Sequence, residues 1–155
     1  MKFSHIEKGR AKMVDISEKQ DILRRATATG EIQLKPETIN AIKSKEIEKG
    51  SVLETARIAS IMAIKNTSSV IPMCHQIPLT GIDVQFEPGI ETVKVTVEVK
   101  SLGKTGVEME ALHGVSVALL TIWDMVKSAE KDSTGNYPST KINSIRVLEK
   151  IKEHR

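Results

Sequence analysis

Polar and apolar residues alternate along four stretches of the chain, and this period of two is typical of β-strands with one buried face. The alternation is cleanest in the run Thr92-Val93-Lys94-Val95-Thr96-Val97-Glu98-Val99. The four predicted strands are Asp21–Leu34, Leu79–Glu87, Glu91–Leu102 and Ile142–Ile151. Pro88-Gly89 predicts a tight turn between the second and the third strand, because both residues favour turns.

Three other stretches have the character of helices. They are residues 36–49, 51 to about 66, and 107 to about 131. Pro36 suits the first turn of a helix, Gly50 ends that helix, and Ser51 with Glu54 predicts a capping box for the next one. Thr67-Ser68-Ser69 is expected to end the second helix.

The element order is therefore strand, two helices, two strands, helix, strand. Without one of the first two helices, this is the β-α-β-β-α-β order of the ferredoxin-like split. We predict an α+β fold with a ferredoxin-like antiparallel sheet, helices packed on one face, and an extra helix in the N-terminal half. Residues 1–155 are expected to form a single domain, with residues 1–20 as an irregular N-terminal arm.

Composition narrows the classes of function. Aromatic residues make up 3% of the chain, too few for a surface on which bases stack, so no nucleic acid partner is expected. No apolar run approaches the ~18 residues of a membrane span, and the N-terminus resembles no secretory signal, so we expect a cytoplasmic protein without a membrane partner. The net charge of +3 suits an anionic ligand.

Cysteine and histidine usage predicts neither a disulfide nor a metal site. Cys74 is the single cysteine, and the four histidines do not show the spacing of zinc ligands. We therefore predict no metal ion held by these side chains.

A glycine turn, Gly103-Lys104-Thr105-Gly106, precedes the long helix. The N–H groups of such a helix start can bind an anion, although a plain strand-to-helix turn has the same pattern. Glu108 and Glu110 follow in the first turn, where acids stabilise the helix dipole. A partly buried carboxylate there could also move protons, so both interpretations stay open.

Two further polar groups stand out. Asp124 and Lys127 are three residues apart on the long helix and hence neighbours, either as a surface ion pair or as an acid–base pair. Met73-Cys74-His75 lies between two prolines in a predicted extended loop. We favour a functional role for the imidazole of His75, while Cys74 suits a small buried hydrophobe better than a nucleophile.

The length of the last helix limits how these groups can cooperate. Glu110 and Asp124 are 14 residues apart, which is roughly 21 Å along a helix. One small substrate cannot contact both ends of one copy. Either the two ends serve different purposes or the pocket is shared between two subunits, and the apolar middle of the helix suits an oligomer interface.

Six segments together resemble the molybdenum cofactor biosynthesis protein C family, in the same order and over about residues 13–132. They are Met13-Val14-Asp15-Ile16-Ser17, Lys49-Gly50, Thr55-Ala56-Arg57-Ile58-Ala59, Ile71-Pro72-Met73-Cys74-His75, Gly103-Lys104-Thr105-Gly106-Val107-Glu108-Met109-Glu110-Ala111 and Leu120-Thr121-Ile122-Trp123-Asp124-Met125-Val126-Lys127.

The resemblance implies a lyase with cyclic pyranopterin monophosphate synthase activity in molybdenum cofactor biosynthesis. Such an enzyme converts a cyclised dihydro-GTP derivative, a small-molecule triphosphate, to a cyclic pterin phosphate and releases pyrophosphate. The family fold is ferredoxin-like. The implied assembly is a homohexamer, a trimer of dimers with pockets between subunits. No redox cofactor is implied, and magnesium would accompany the triphosphate.

The resemblance also implies the site residues. The catalytic residues are Asp124, Lys127 and Lys49. The substrate-binding residues are Arg24, Met73, Cys74, His75, Glu108, Met109 and Glu110. Lysine and arginine neutralise the charge of a departing pyrophosphate, and ring opening and closure require several proton transfers.

The C-terminus departs from the family, which often ends in a glycine-rich basic tail. Here residues 148–155 contain no glycine, and Lys150 takes the place of the first lysine of that tail. Three other functions stay open at this stage. They are a non-catalytic, oligomeric nucleotide- or anion-binding module, a purely structural oligomer, and an RNA-binding domain, which the scarcity of aromatic residues disfavours.

Overall fold

The computed structural model describes residues 5–45 and 51–153. The strands in these ranges are β1 (Ile6–Glu7), β2 (Arg10–Ala11), β3 (Ile22–Gln33), β4 (Leu79–Pro88), β5 (Thr92–Gly103) and β6 (Lys141–Glu153). The helices are α1 (Pro36–Ser44), α2 (Val52–Lys65), α3 (Thr67–Val70) and α4 (Glu108–Glu130). The four predicted strands and three predicted helices are confirmed, and the backbone N–H of Glu54 donates to the Ser51 hydroxyl, as the capping box requires.

Two local predictions were wrong. The N-terminal arm is not wholly irregular, because β1 and β2 form a hairpin around Lys8 and Gly9, whose φ angles are 50° and 75°. Paired positive φ angles suit a tight hairpin turn. Helix α1 was expected to reach Gly50, which lies outside the described residues, but it ends at Ser44, with Lys45 in the left-handed conformation. Helix α2 ends at Lys65, as predicted from Thr67-Ser68-Ser69, and the one-turn helix α3 follows it.

The main sheet has the strand order β4-β5-β3-β6, and every neighbouring pair is antiparallel. From the β6 edge, this order is the fourth, first, third and second strand of a split β-α-β-β-α-β unit. The predicted α+β, ferredoxin-like fold is therefore confirmed. Helix α1 is the extra helix in the N-terminal half.

The core lies between this sheet and helices α2 and α4. Alternate residues of β5 face it, and Val93, Val95, Val97 and Val99 are completely buried. Gly30 of β3 lets α4 approach closely. A Cβ atom there would come within 3.0 Å of Val115, Leu119 and Ile145 side-chain atoms.

The apolar middle of α4 belongs to this core. Val115, Ala118, Leu119 and Ile122 are fully buried within the chain, whereas the neighbouring Leu120 is 59% exposed. By length and composition α4 could cross a membrane, but half of its most apolar window is buried in the fold, and a core helix passes the same test. Much of the apolarity of this helix is therefore used inside one chain, whereas Leu120 remains exposed.

Strand β6 forms one edge of the sheet and is irregular. Its register with β3 shifts twice, between Thr27 and Ala28 and again between Thr29 and Glu31. Ser144 on β6 has a φ of 58°. Such irregularities bend an edge strand locally and strengthen its twist. The end of β6, with Lys150 and Lys152, then reaches the cavity described below.

Candidate active site

A cavity of about 580 Å³ lies where β3 begins, β5 ends and α4 starts. All seven predicted substrate-binding residues line it. They are Arg24, Met73, Cys74, His75, Glu108, Met109 and Glu110. The fold brings them together because the start of β3 pairs with the end of β5, and Ile22 lies opposite Gly103. Residues far apart in sequence thus share one pocket.

The turn between β5 and α4 shapes the floor of the cavity. Gly106 has no side chain, and a Cβ atom there would overlap the carboxylate of Glu108. Helix α4 follows directly, and Val107 caps it without a side-chain hydrogen bond. The turn therefore leaves room for a carboxylate beside the positive end of a long helix.

Arg24 is buried and holds this turn in place. Its Nε donates to the carbonyl of Gly103 at 2.9 Å, and its Nη2 donates to the carbonyl of Lys104 at 3.2 Å. One edge of the guanidinium is thus occupied by backbone. A phosphate contact by Arg24 has to use the Nη1 side, so this residue shapes the pocket as well as lining it.

Cys74 and His75 follow α3 in a bend, where the Cys74 N–H donates to the Ile71 carbonyl at 3.0 Å. Burial raises the pKa of the Cys74 thiol, and the charge of Glu110 raises it further. The thiol is therefore protonated at neutral pH, which favours the interpretation of Cys74 as a small hydrophobic residue rather than a nucleophile.

Glu108 and Glu110 line the same cavity in contrasting environments. Burial raises the pKa of Glu110 above its ordinary value, and the charge of Glu108 adds to this, although the backbone N–H of Glu110 itself opposes it. Burial also acts to raise the pKa of Glu108. The Lys150 ammonium, which donates to Glu108 at 2.7 Å, and the backbone N–H of Glu108 outweigh it, so this pKa is lowered.

Two carboxyls whose pKa values are moved apart can divide proton transfer between them. Glu108 is the ionised partner and Glu110 is the one that holds its proton to higher pH. Both pKa shifts arise from the surroundings of the side chains in the fold, since the two residues are chemically identical and only two positions apart.

Opposite pH responses of the folded state are expected from this pair. The folded pKa of Glu110 is raised from 4.5, so its contribution to stability is complete below that value and is lost as pH rises through the folded pKa. The folded pKa of Glu108 is lowered from 4.5, so its contribution is present above that value and is lost as pH falls. Urea unfolding of Glu110→Gln and Glu108→Gln beside the wild type, between acid and neutral pH, measures both. If the free energy of unfolding depended on pH with the same slope in both variants, the assignment of opposite pKa shifts to Glu110 and Glu108 would be contradicted.

Sequence reasoning missed much of the basic lining. Lys19, Lys104 and Lys152 face the cavity together with Lys150, which the comparison with the family tail had singled out. The Lys104 ammonium donates to the Ser17 carbonyl at 2.6 Å, which ties the N-terminal arm to the glycine turn. Val14 and Ile16 of the arm therefore form part of the cavity wall. The place of Lys104 in the glycine turn is the signal that could have identified it as a residue of the site.

Asp124 and Lys127 lie at the other end of α4 and do not line this cavity. The Lys127 ammonium donates to Asp124 at 2.6 Å. The hydrogen bond and the charge of Asp124 raise the pKa of Lys127, so the ammonium stays charged. Because α4 is continuous from 108 to 130, the separation of roughly 21 Å from Glu110 holds. Lys49 lies outside the described residues.

Within residues 5–45 and 51–153, no group of three histidine, cysteine or acidic side chains is placed to hold a metal ion. The cavity instead combines several lysines, an arginine and a helix N-terminus. Those are the features with which proteins bind phosphate groups.

A ferredoxin-like sheet with such a cavity at one end defines an α+β protein whose candidate site suits a phosphorylated small molecule. Comparison with known proteins specifies it further. The model of the MoaC family matches residues 13–153, and the chain belongs to this family.

Curated relatives match over nearly their whole length. A protein of Methanosarcina mazei is 65% identical over 150 residues, covering 97% of this chain and 96% of the relative. A protein of Pyrococcus furiosus is 59% identical over 155 residues, covering 100% and 99%. One of Thermococcus onnurineus is 53% identical over 150 residues, covering 97% and 96%. All three carry the name probable cyclic pyranopterin monophosphate synthase.

Proposed function

We propose that this chain catalyses the cyclic pyranopterin monophosphate synthase reaction in molybdenum cofactor biosynthesis. It converts a cyclised dihydro-GTP derivative to a cyclic pterin phosphate and releases pyrophosphate. The observation that carries the proposal is identity of 53–65% over nearly the full chain to relatives that bear this name. We assign the chain to the lyases because pyrophosphate leaves as a new phosphate ring closes.

The cavity is suited to this substrate in size and charge. Its volume of about 580 Å³ falls within the roughly 300–1,000 Å³ of small-molecule sites. The ammonium groups of Lys19, Lys104 and Lys152 can neutralise the triphosphate and the departing pyrophosphate. Any magnesium ion would enter with the triphosphate, and the reaction needs no redox cofactor.

Glu110 and Glu108 supply proton transfer in this proposal. The raised pKa of Glu110 makes it the acid, and the lowered pKa of Glu108 makes it an ionised partner that keeps Lys150 in place. A general acid is most effective when its pKa approaches the working pH. His75 lines the same cavity, and its imidazole can take part in proton transfer.

The complete site requires a second subunit. Asp124 and Lys127 of one chain cannot reach the cavity at the start of their own helix, so we propose that they complete the cavity of a neighbouring chain. A homohexamer built as a trimer of dimers, in the cytoplasm, is the assembly that we infer. The alternative is a non-catalytic, oligomeric anion-binding module, which explains the cavity but assigns no role to Asp124 and Lys127.

The direct test is turnover of the cyclised dihydro-GTP substrate by the wild type and by Asp124→Ala. We expect product and pyrophosphate from the wild type and a loss of about 10²–10⁴-fold in kcat for the variant, the range for a missing acid or base. Asp83→Ala is the matched control, because Asp83 is exposed on β4 and away from the cavity. A wild type that binds pyrophosphate but forms no product would instead support the anion-binding module.

A further inference from the structure

A completely buried carboxylate, Glu130, ends helix α4. Its oxygens accept hydrogen bonds from the hydroxyls of Thr38 and Thr140, the latter at 2.6 Å, and from the backbone N–H of Lys35 at 3.2 and 3.3 Å. These partners belong to the start of α1 and the residue before β6. One carboxylate therefore joins three separate parts of the chain.

The surroundings explain how a buried carboxyl group is tolerated there. Lys35 is the N-cap residue of α1 and makes no cap with its own side chain, so Glu130 serves as the cap from another element. The helix dipole of α1 favours a negative charge at this place. The Lys35 ammonium lies nearby and donates to the carbonyls of Ala129 and Lys131 at 2.9 and 3.4 Å.

The last turn of α4 depends on this cluster. Its closing backbone bond, from the Lys131 N–H to the Lys127 carbonyl, measures 3.3 Å, and the last carbonyls of a helix lack partners within the helix. Lys127 lies one turn before Glu130 and pairs with Asp124. Without an anchor at Glu130, the turn that carries Lys127 would fray.

We propose that Glu130 is a positioning residue, which fixes the turn bearing Lys127 against the start of α1. The role in the reaction rests on the proposed function, whereas the anchoring of the turn rests on the contacts alone.

Glu130→Met tests the proposal, because methionine has a similar length but accepts none of these hydrogen bonds. Well below its unfolding midpoint, this variant should show a kcat about tenfold lower than the wild type, as displaced catalytic groups cause, with KM within about twofold. Amide hydrogen exchange at residues 128–131 should accelerate at least about tenfold while residues 115–122 keep wild-type rates.

Glu130→Gln is the conservative control. Its carbonyl can accept from Lys35 and Thr38, and its amide can donate to the Thr140 hydroxyl, so kcat should stay within about threefold of the wild type. Thr140→Val and Thr140→Ser form a second matched pair, since only valine removes the hydroxyl. We expect several-fold slower turnover for Thr140→Val alone.

A wild-type kcat in Glu130→Met would overturn the inference while leaving the proposed function intact. So would faster exchange along the whole of α4, because that pattern marks a general loss of stability. Absence of turnover in the wild type would instead overturn the proposed function, and the exchange rates would still decide whether Glu130 anchors the turn.

Discussion

Two inactive variants, Glu110→Ala and Asp124→Ala, should recover turnover when they are unfolded together and refolded as a mixture. The two residues are roughly 21 Å apart on one helix, and Glu110 faces the cavity whereas Asp124 does not line it. If each pocket takes Glu110 from one chain and Asp124 from the other, random mixing restores about a quarter of the pockets in a symmetric dimer. Activity of the mixture, measured against each variant alone, gives the result.

In the matched control, the Asp124→Ala chain is replaced by the double variant Glu110→Ala/Asp124→Ala. Mixed with Glu110→Ala, that chain cannot build an intact pocket by either arrangement and should restore nothing. If the mixture of Glu110→Ala and Asp124→Ala is no more active than the two variants measured separately, a shared pocket is excluded. In that case Asp124 and Lys127 would have to serve another purpose.

Leu119→Ala should lower the free energy of unfolding by about 2–5 kcal/mol, the range for a buried leucine truncated in a packed core. Leu119 is fully buried on the face of α4 that packs against the sheet. It lies against Gly30, where even one additional carbon has no room. Denaturant unfolding at several protein concentrations measures the loss and separates it from dissociation of subunits.

Leu120→Ala is the matched control, because it is the same substitution at the next residue, whose side chain is 59% exposed. The expected change is within about 0.5 kcal/mol, as for surface substitutions. A loss as large as that of Leu119→Ala would show that Leu120 is covered by another chain. The same variant therefore also examines which side of α4 faces a neighbouring subunit.

Periodicity predicted the sheet well because the strands are long and one of their faces is buried. Residues 92–99 of β5 alternate strictly between buried valines and partly exposed polar residues, and this pattern is typical of a strand with one buried face. The hairpin of β1 and β2 escaped prediction, because its Lys8-Gly9 turn lacks the asparagine or aspartate typical of such turns.

The site was predictable only in part. Short motifs identified Glu108, Glu110 and His75, since those residues lie in conspicuous local patterns. Lys19 and the rest of the N-terminal arm gave no local signal, because their place beside the cavity depends on tertiary contacts such as that of Lys104 with Ser17.

The roles of Arg24 and Glu130 were equally hidden in the sequence. Arg24 was predicted to bind substrate, but its role in holding the turn was not foreseen, because its Nε and Nη2 donate to two backbone carbonyls 79 and 80 residues away in sequence. Glu130 resembles an ordinary polar residue at a helix end. Its partner Thr38 is 92 residues away, so only the folded chain reveals that the carboxylate is buried.

The irregular edge strand β6 also bears on how the protein avoids aggregation. A sheet edge of 13 residues offers a row of backbone groups to which a strand of another molecule could add. Register shifts, a left-handed Ser144 and the charges of Lys150 and Lys152 all obstruct such pairing. The lysines that face the substrate cavity therefore also protect the edge, and replacing them to alter ligand binding should make the protein more prone to fibril-like association.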